Sequence, residues 1–368
     1  MDAGAGGTLK IEGASFAITV DPDRRVIADA TVVVHGKRIS HIGKTTELRQ
    51  VAADRTIDAR GCVLTPAFVN GHMHISYAHA VRGVFPDDIP GRERLRQVFR
   101  LQSAMNEQDE YWTSLLAVIE LVRSGTVTFV DPGSTQHLDA CLQVYADAGC
   151  RVATGTCVTD QPSDLTLPRY PTLEALERTD RFVRAYQGRL DGRLHAWAMP
   201  FSTDTCSPEL LAGARRIAVE HGVGMSLHHA GGTPIGGRRP TEFLADAGAL
   251  GSNVLLAHVS GIDDVEVEII ARSGASVVIC PSTSLKEGSG LGQRKLPELL
   301  ARGVAVALGA DSANSSNYLD GVRMLNAAAV GFKDGRRDVG VVPAEQAVEM
   351  ATLIGARALG LEQEIGSI

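Results

Sequence analysis

The chain has 368 residues, 44% of them hydrophobic and 21% charged, with a net charge of −7, and its mean hydropathy is near zero. That is enough apolar material for one large domain with an appendage, or for two domains. The mildly acidic balance, without a basic stripe or a bilayer-length apolar run, excludes nucleic-acid and membrane partners and leaves a small molecule as the expected one. The opening MDAGAGGTLK is not a signal peptide, and the six cysteines include no Cys-x-x-Cys, so they read as reduced, mostly buried thiols of a cytoplasmic protein.

In chain order, Phe16 to Val20, Ala30 to Val34 and Arg38 to Ile42 read as short strands separated by Asp21-Pro22-Asp23 and His35-Gly36-Lys37, a small N-terminal β module over residues 1–62. From residue 63 the rhythm changes. The predicted strands are Val63–Val69, Thr126–Val130, Arg151–Val158, Leu194–Met199, Gly224–His228, Val254–His258, Ser276–Cys280 and Val304–Leu308. Amphipathic helices are expected between most of them, for example over Asp109–Arg123, Leu173–Gln187, Pro208–Glu220 and Val265–Ala271, with Pro343–Leu361 following the eighth strand. The longer first connection, around Phe85-Pro86-Asp87-Asp88, has the makings of a lid. Eight such units and no glycine-rich dinucleotide fingerprint fit a (β/α)8 barrel over residues 63–361 better than an open doubly wound sheet.

In such a barrel the chemistry sits at the C-terminal strand ends. The first strand ends in His72-Met73-His74, where residues two apart on a strand share a face and both imidazoles can reach one ion. Read alone, that pair is more often two ordinary strand histidines. The fifth strand, however, ends in His228-His229, the sixth in His258 and the eighth in Asp311, so that five of the 11 histidines fall at three strand ends. Nitrogen and oxygen donors of this kind suit one divalent transition ion, zinc first, with iron, cobalt, nickel or manganese also accepted. Asp131, ending the second strand, either orients a ligand histidine or caps its turn.

The stretches LTPAFVNGHMHISYAHAVRG, NVLLAHVSGIDDVEVEIIARSGASVVICPSTSLKEGSG and GVAVALGADSANSSNYLDGVRML resemble the amidohydrolase superfamily, in its cytosine deaminase and triazine hydrolase-like branch. The resemblance implies a barrel with a small β-sandwich-like module, of which residues 362–368 begin the return. Relatives continue beyond a phrase like EIGSI, so the C-terminal part of that module is expected to be missing here. It further implies His72, His74, His228 and Asp311 as ligands of one metal, Asp311 as proton acceptor and His258 facing the attacked atom. A homo-oligomer is part of the same expectation.

Two departures bear on the substrate. Where deaminases of this branch carry a proton-shuttling Glu three residues after the fifth-strand His, this chain has Gly231, and the fourth strand reads Met199-Pro200-Phe201 where the family has Pro-His-Ala. Substrate contacts are therefore sought among His229, His79, Ser284 and Phe201, with packing also a fitting role for His229 and turn formation for Ser284. The expected activity is hydrolysis of a non-peptide C–N bond by a metal-activated water: deamination of a heterocycle, or cleavage of an amide, urea or carbamate. Displacement of a halide or thiolate is the runner-up, and a non-catalytic barrel scaffold the third reading.

Overall fold

The computed structural model describes residues 6–77 and 79–368, which divide into two compact units, one running through Ala67 and including Gln363–Ile368, the other Phe68–Glu362. In the first, β1 (Thr8–Ile18), β2 (Val26–His35), β3 (Arg38–Lys44), β4 (Arg55–Asp58) and β5 (Val63–Leu64) form one mixed sheet in the order β3-β2-β1-β4, with β5 also on β1. The β1–β2 and β2–β3 pairs are antiparallel hairpin neighbours, whereas β4 and β5 run parallel to β1. Ala14, Ala17, Ala30 and Ala59 pack at its centre. The last residue joins the same unit, Ile368 N–H donating to the Thr19 carbonyl at 2.8 Å.

The second unit is a ring of parallel strands. Its staves are β6 (Phe68–Asn70), β7 (Thr126–Asp131), a third made of β8 (Arg151–Thr154) and β9 (Cys157–Val158), a fourth made of β10 (Leu194–Ala196) and β11 (Met199–Pro200), then β12 (Met225–Ala230), β13 (Val254–Ser260), β14 (Ser276–Ile279) and β15 (Val306–Leu308). The segments β6-β7-β8-β10, β9-β11 and β12-β13-β14-β15 pair in parallel. Parallel bridges at Ala198–Met225 and Ser202–His228 join the fourth stave to the fifth, and Gly71 N–H to Leu308 O at 2.8 Å closes the eighth onto the first. This is the expected barrel. Strands covered on both faces need apolar side chains throughout, and Val254-Leu255-Leu256-Ala257 is such a fully buried run. Outer helices begin where their caps dictate: the Ser207 hydroxyl accepts from Leu210 N–H, and Asp263 accepts from Val265 and Glu266 N–H.

Two expectations are corrected. Val63–Val69 is not one strand: Val63–Leu64 joins the first sheet and Phe68 opens the barrel, because Pro66 between them has no N–H for a ladder. Pro343–Leu361 is not one helix but Ala344–Met350 and Leu353–Ala358. The Ala351 carbonyl is drawn out of the helical ladder to accept Val69 N–H at 2.7 Å. The eighth strand is followed first by the short helix Ala313–Ser316 and then by the longer Gly321–Arg336. No helix among the described residues is long and apolar enough to cross a membrane.

Candidate active site

The C-terminal rim of the ring gathers His72, His74, His228, His258 and Asp311. The His72 ring centroid lies 5.0 Å from His74, 4.7 Å from His228 and 4.9 Å from His258, edge-on to each. Asp311 Oδ1 stands 3.6 Å from His74 Nε2 and 4.0 Å from His72 Nε2. Donor atoms of His72, His74 and Asp311, and of His72, His228 and His258, are mutually close enough to hold a metal ion. Backbone strain marks the same rim: His258, Val259 and Asp311 have φ of 72°, 46° and 57°, a left-handed region that side-chain-bearing residues enter only when the surroundings compel it.

Electrostatics keeps these imidazoles neutral. Burial first, then the neighbouring histidines, pushes His72 and His74 well below the usual histidine range. Burial followed by the His258 charge brings His228 to about 4, and burial with Arg294 nearby brings His258 to about 3. Burial raises the Asp311 carboxyl, against the Ser312 N–H that stabilises its charge.

The hydrogen-bond pattern fits a cation. His228 Nδ1 lies 2.6 Å from the Phe201 carbonyl, which can only accept, so in the neutral ring Nδ1 carries the proton and Nε2 a lone pair. That Nε2 faces His74 Nε2 at 3.2 Å, while His74 Nδ1 is occupied by the Ser134 hydroxyl at 2.7 Å. Both ring nitrogens of His72 are buried without a partner. Orphaned buried nitrogens are costly unless something electropositive meets them, and a divalent ion does.

The rim opens into a cavity of about 460 Å³ whose apolar wall includes Tyr77, Leu95, Phe99, Leu165 and Phe201. Phe201 lines this cavity, its ring 4.5 Å from His228. The other three sought residues are hydrogen-bonded to protein groups. His229 borders the cavity, yet both its nitrogens are taken, Nδ1 by Thr203 and Nε2 by Thr241 at 2.9 Å each. Thr241 donates onward to Glu266 at 2.8 Å, so it accepts the His229 Nε2 proton and the imidazole is a neutral link in a buried chain. His79 turns away to Glu120 at 2.9 Å, beside Arg82. Ser284 is buried with its hydroxyl on the Cys280 carbonyl of its own helix, and the residue facing the site is its neighbour Thr283, which donates to Asp311 Oδ2 at 3.2 Å. Asp131 caps its turn through Gly133 N–H and takes the Tyr145 hydroxyl.

Sequence reasoning missed charged groups at this cavity, which Glu287 and Arg294 line. Arg94, on the helix Gly91–Gln102, donates to Glu287 at 2.5 Å, and Arg294 donates to the His258 carbonyl at 2.8 Å. Only the arginines of a helix not expected from the pattern could have signalled them.

The amidohydrolase family model matches residues 63–368. The chain belongs to the amidohydrolase family. It is 33% identical over 363 residues to a 5-methylthioadenosine/S-adenosylhomocysteine deaminase of Syntrophobacter fumaroxidans, covering 96% of this chain and 80% of the relative. A 5'-deoxyadenosine deaminase of Methanosarcina mazei is 32% identical, covering 95% and 79%. Among solved structures, a triazine hydrolase variant superposes with a TM-score of 0.88 at 21% identity, covering 98% of this chain and 84% of that one. A zinc-bound adenosine deaminase from Xanthomonas campestris gives 0.81 at 26% identity, covering 98% and 81%. The resemblance carried by the motifs holds, and with it the class of chemistry, hydrolysis of a carbon–nitrogen bond outside peptides.

Proposed function

We propose that this amidohydrolase deaminates an adenosine-type nucleoside, hydrolysing its exocyclic C–N bond. The observation that supports this reading best is the convergence of three neutral imidazoles and one carboxylate beside His258, in a chain related to deaminases of 5'-modified adenosines. His72, His74, His228 and Asp311 would hold one divalent ion, and zinc agrees with the donor set and with the Xanthomonas relative. When bound, that ion supplies Lewis-acid activation of water near neutral pH.

The chain's own residues supply the rest. Asp311, buried and with its charge exposed to little solvent, takes a proton from the attacking water and delivers it to the leaving amine. The neutral His258 ring faces the same space and stabilises charge developing on the attacked carbon's substituents. Phe99 and Phe201 provide an aromatic wall for a flat base. A cytoplasmic enzyme whose chain also carries a small β module completes the reading.

Ammonia release from 5'-deoxyadenosine, 5'-methylthioadenosine and S-adenosylhomocysteine tests it, together with metal analysis of the purified protein. Turnover of at least one nucleoside, lost on chelation and restored by zinc, is expected at close to one ion per chain. No release from any of them by zinc-loaded protein refutes the reading.

A further inference from the structure

Gly231 stands where the family resemblance places a proton-relaying glutamate, and the fold leaves no room for a side chain there. A Cβ at 231 would lie 2.9 Å from the carbonyl carbon and oxygen of Gly261 and from the nitrogen of Ile262, all main-chain atoms. Gly231 N–H is held on the Ser260 carbonyl at 2.5 Å, which fixes this approach. His229 cannot substitute, since both ring nitrogens are committed, and His79 is paired with Glu120. Deamination still needs a proton on the ring nitrogen beside the attacked carbon as oxygen adds to it.

Three carboxylates border the cavity: Asp204, Glu287 and Asp311. Asp204 is exposed and accepts the Ser202 hydroxyl. Glu287 is itself an exposed residue, its side chain 28% accessible, but it is held in an ion pair with Arg94. It ends the helix Pro281–Lys286 one turn beyond Thr283, whose hydroxyl donates to Asp311. Residues four apart on a helix are neighbours, about 5–6 Å between Cβ atoms, so Glu287 shares the face that looks toward Asp311. Arg94, itself only 2% exposed, donates to Glu287 Oε1 at 2.5 Å and fixes the carboxylate in place. Burial, then the Asp311 charge, raises the proton affinity of Glu287 above that of a surface glutamate, against the pull of Arg94.

We propose that Glu287 is the proton relay of this site, carrying a proton from the attacking water to the substrate's ring nitrogen in place of a residue at 231. This rests on the deaminase reading. The water oxygen bonds to the amino-bearing carbon while its first proton passes to the Glu287 carboxylate and on to the adjacent ring nitrogen. Its second proton passes to Asp311 and on to the amino group. The C–N bond then breaks with its electron pair leaving on ammonia, and the oxygen remains as a carbonyl beside a ring N–H. The base therefore sits with that nitrogen toward the end of β14, not β12.

Ammonia release from 5'-deoxyadenosine and 5'-methylthioadenosine is measured for wild type, Glu287→Gln, Glu287→Ala and Asp204→Asn, with metal content and melting temperature recorded. Glutamine keeps an acceptor for Arg94, so Glu287→Gln is expected to fold and load metal normally while losing about a hundredfold or more in kcat. Added formate is expected to raise the rate of Glu287→Ala in a dose-dependent way, which a merely structural role would not allow. A Glu287→Gln enzyme within about threefold of wild type, a Glu287→Ala enzyme unmoved by formate, or a loss falling on Asp204→Asn instead, overturns the relay. Wild-type protein that deaminates neither probe nor S-adenosylhomocysteine overturns the deaminase reading and the relay with it.

Discussion

Acidification from pH 7 to pH 5 should cost this protein stability through His229 in particular, and His229→Gln should remove that part of the loss. Burial brings the His229 pKa down from 6.5 to about 4. The folded imidazole, flanked by Thr203 and Thr241, therefore stays neutral through a range in which the unfolded one gains a proton. The unfolded state binds more protons there, so stability is complete above the unfolded pKa and drains away as pH falls toward the folded one. Between pH 7 and pH 5 the two titration curves separate by about 2 kcal/mol, taking 1.36 kcal/mol per pKa unit and allowing for partial titration at each end. Urea midpoints at matched m-values, followed at both pH values with saturating zinc, give the measured quantity. The metal-site histidines are common to both proteins and cancel in the difference of slopes, as does the fixed cost of replacing the ring. Parallel pH dependences for wild type and His229→Gln would show that this imidazole titrates normally and is not the sealed link described above.

Asp311→Asn and His258→Ala should each lower kcat for the nucleoside by about a hundredfold or more, the usual loss for a general base or an electrostatic stabiliser, and near-normal steady-state rates in either would remove the roles given to them. Gly224→Ala should abolish folded expression, because its Cβ would stand 2.3 Å from the Trp197 indole, which is 6% exposed and has nowhere to move. A soluble Gly224→Ala protein with a wild-type melting temperature would refute that packing argument.

The parts of the site legible in the sequence share a cause: each lies in, or a few residues beyond, an apolar strand run. His72 and His74 follow the strand Phe68–Asn70, Asp311 follows Val306–Leu308, and His228 and His258 lie near the ends of Met225–Ala230 and Val254–Ser260, all apolar runs that are unmistakable. What escaped depends on phase or on distant partners. Thr283 rather than Ser284 faces Asp311 because of where the helix at Pro281 begins its turn, a one-residue matter that composition does not encode. His229 and His79 look the same in sequence as the ligand histidines, and only Thr241 and Glu120 decide that their rings are spoken for. Arg94 and Glu287 are 193 residues apart, and nothing local announces that they meet. Pro66 was visible throughout, and a proline inside an expected seven-residue strand is reason enough to divide it.

The contact between His228 and the Phe201 carbonyl has a consequence for how this pocket can change over time. The proton that readies His228 for a cation is secured by a peptide group, which every amino acid at position 201 provides. The side chain at 201, by contrast, lines the cavity. Selection can therefore remodel that position, trading an aromatic for an imidazole or an aliphatic, without disturbing the tautomer that the proposed metal would need.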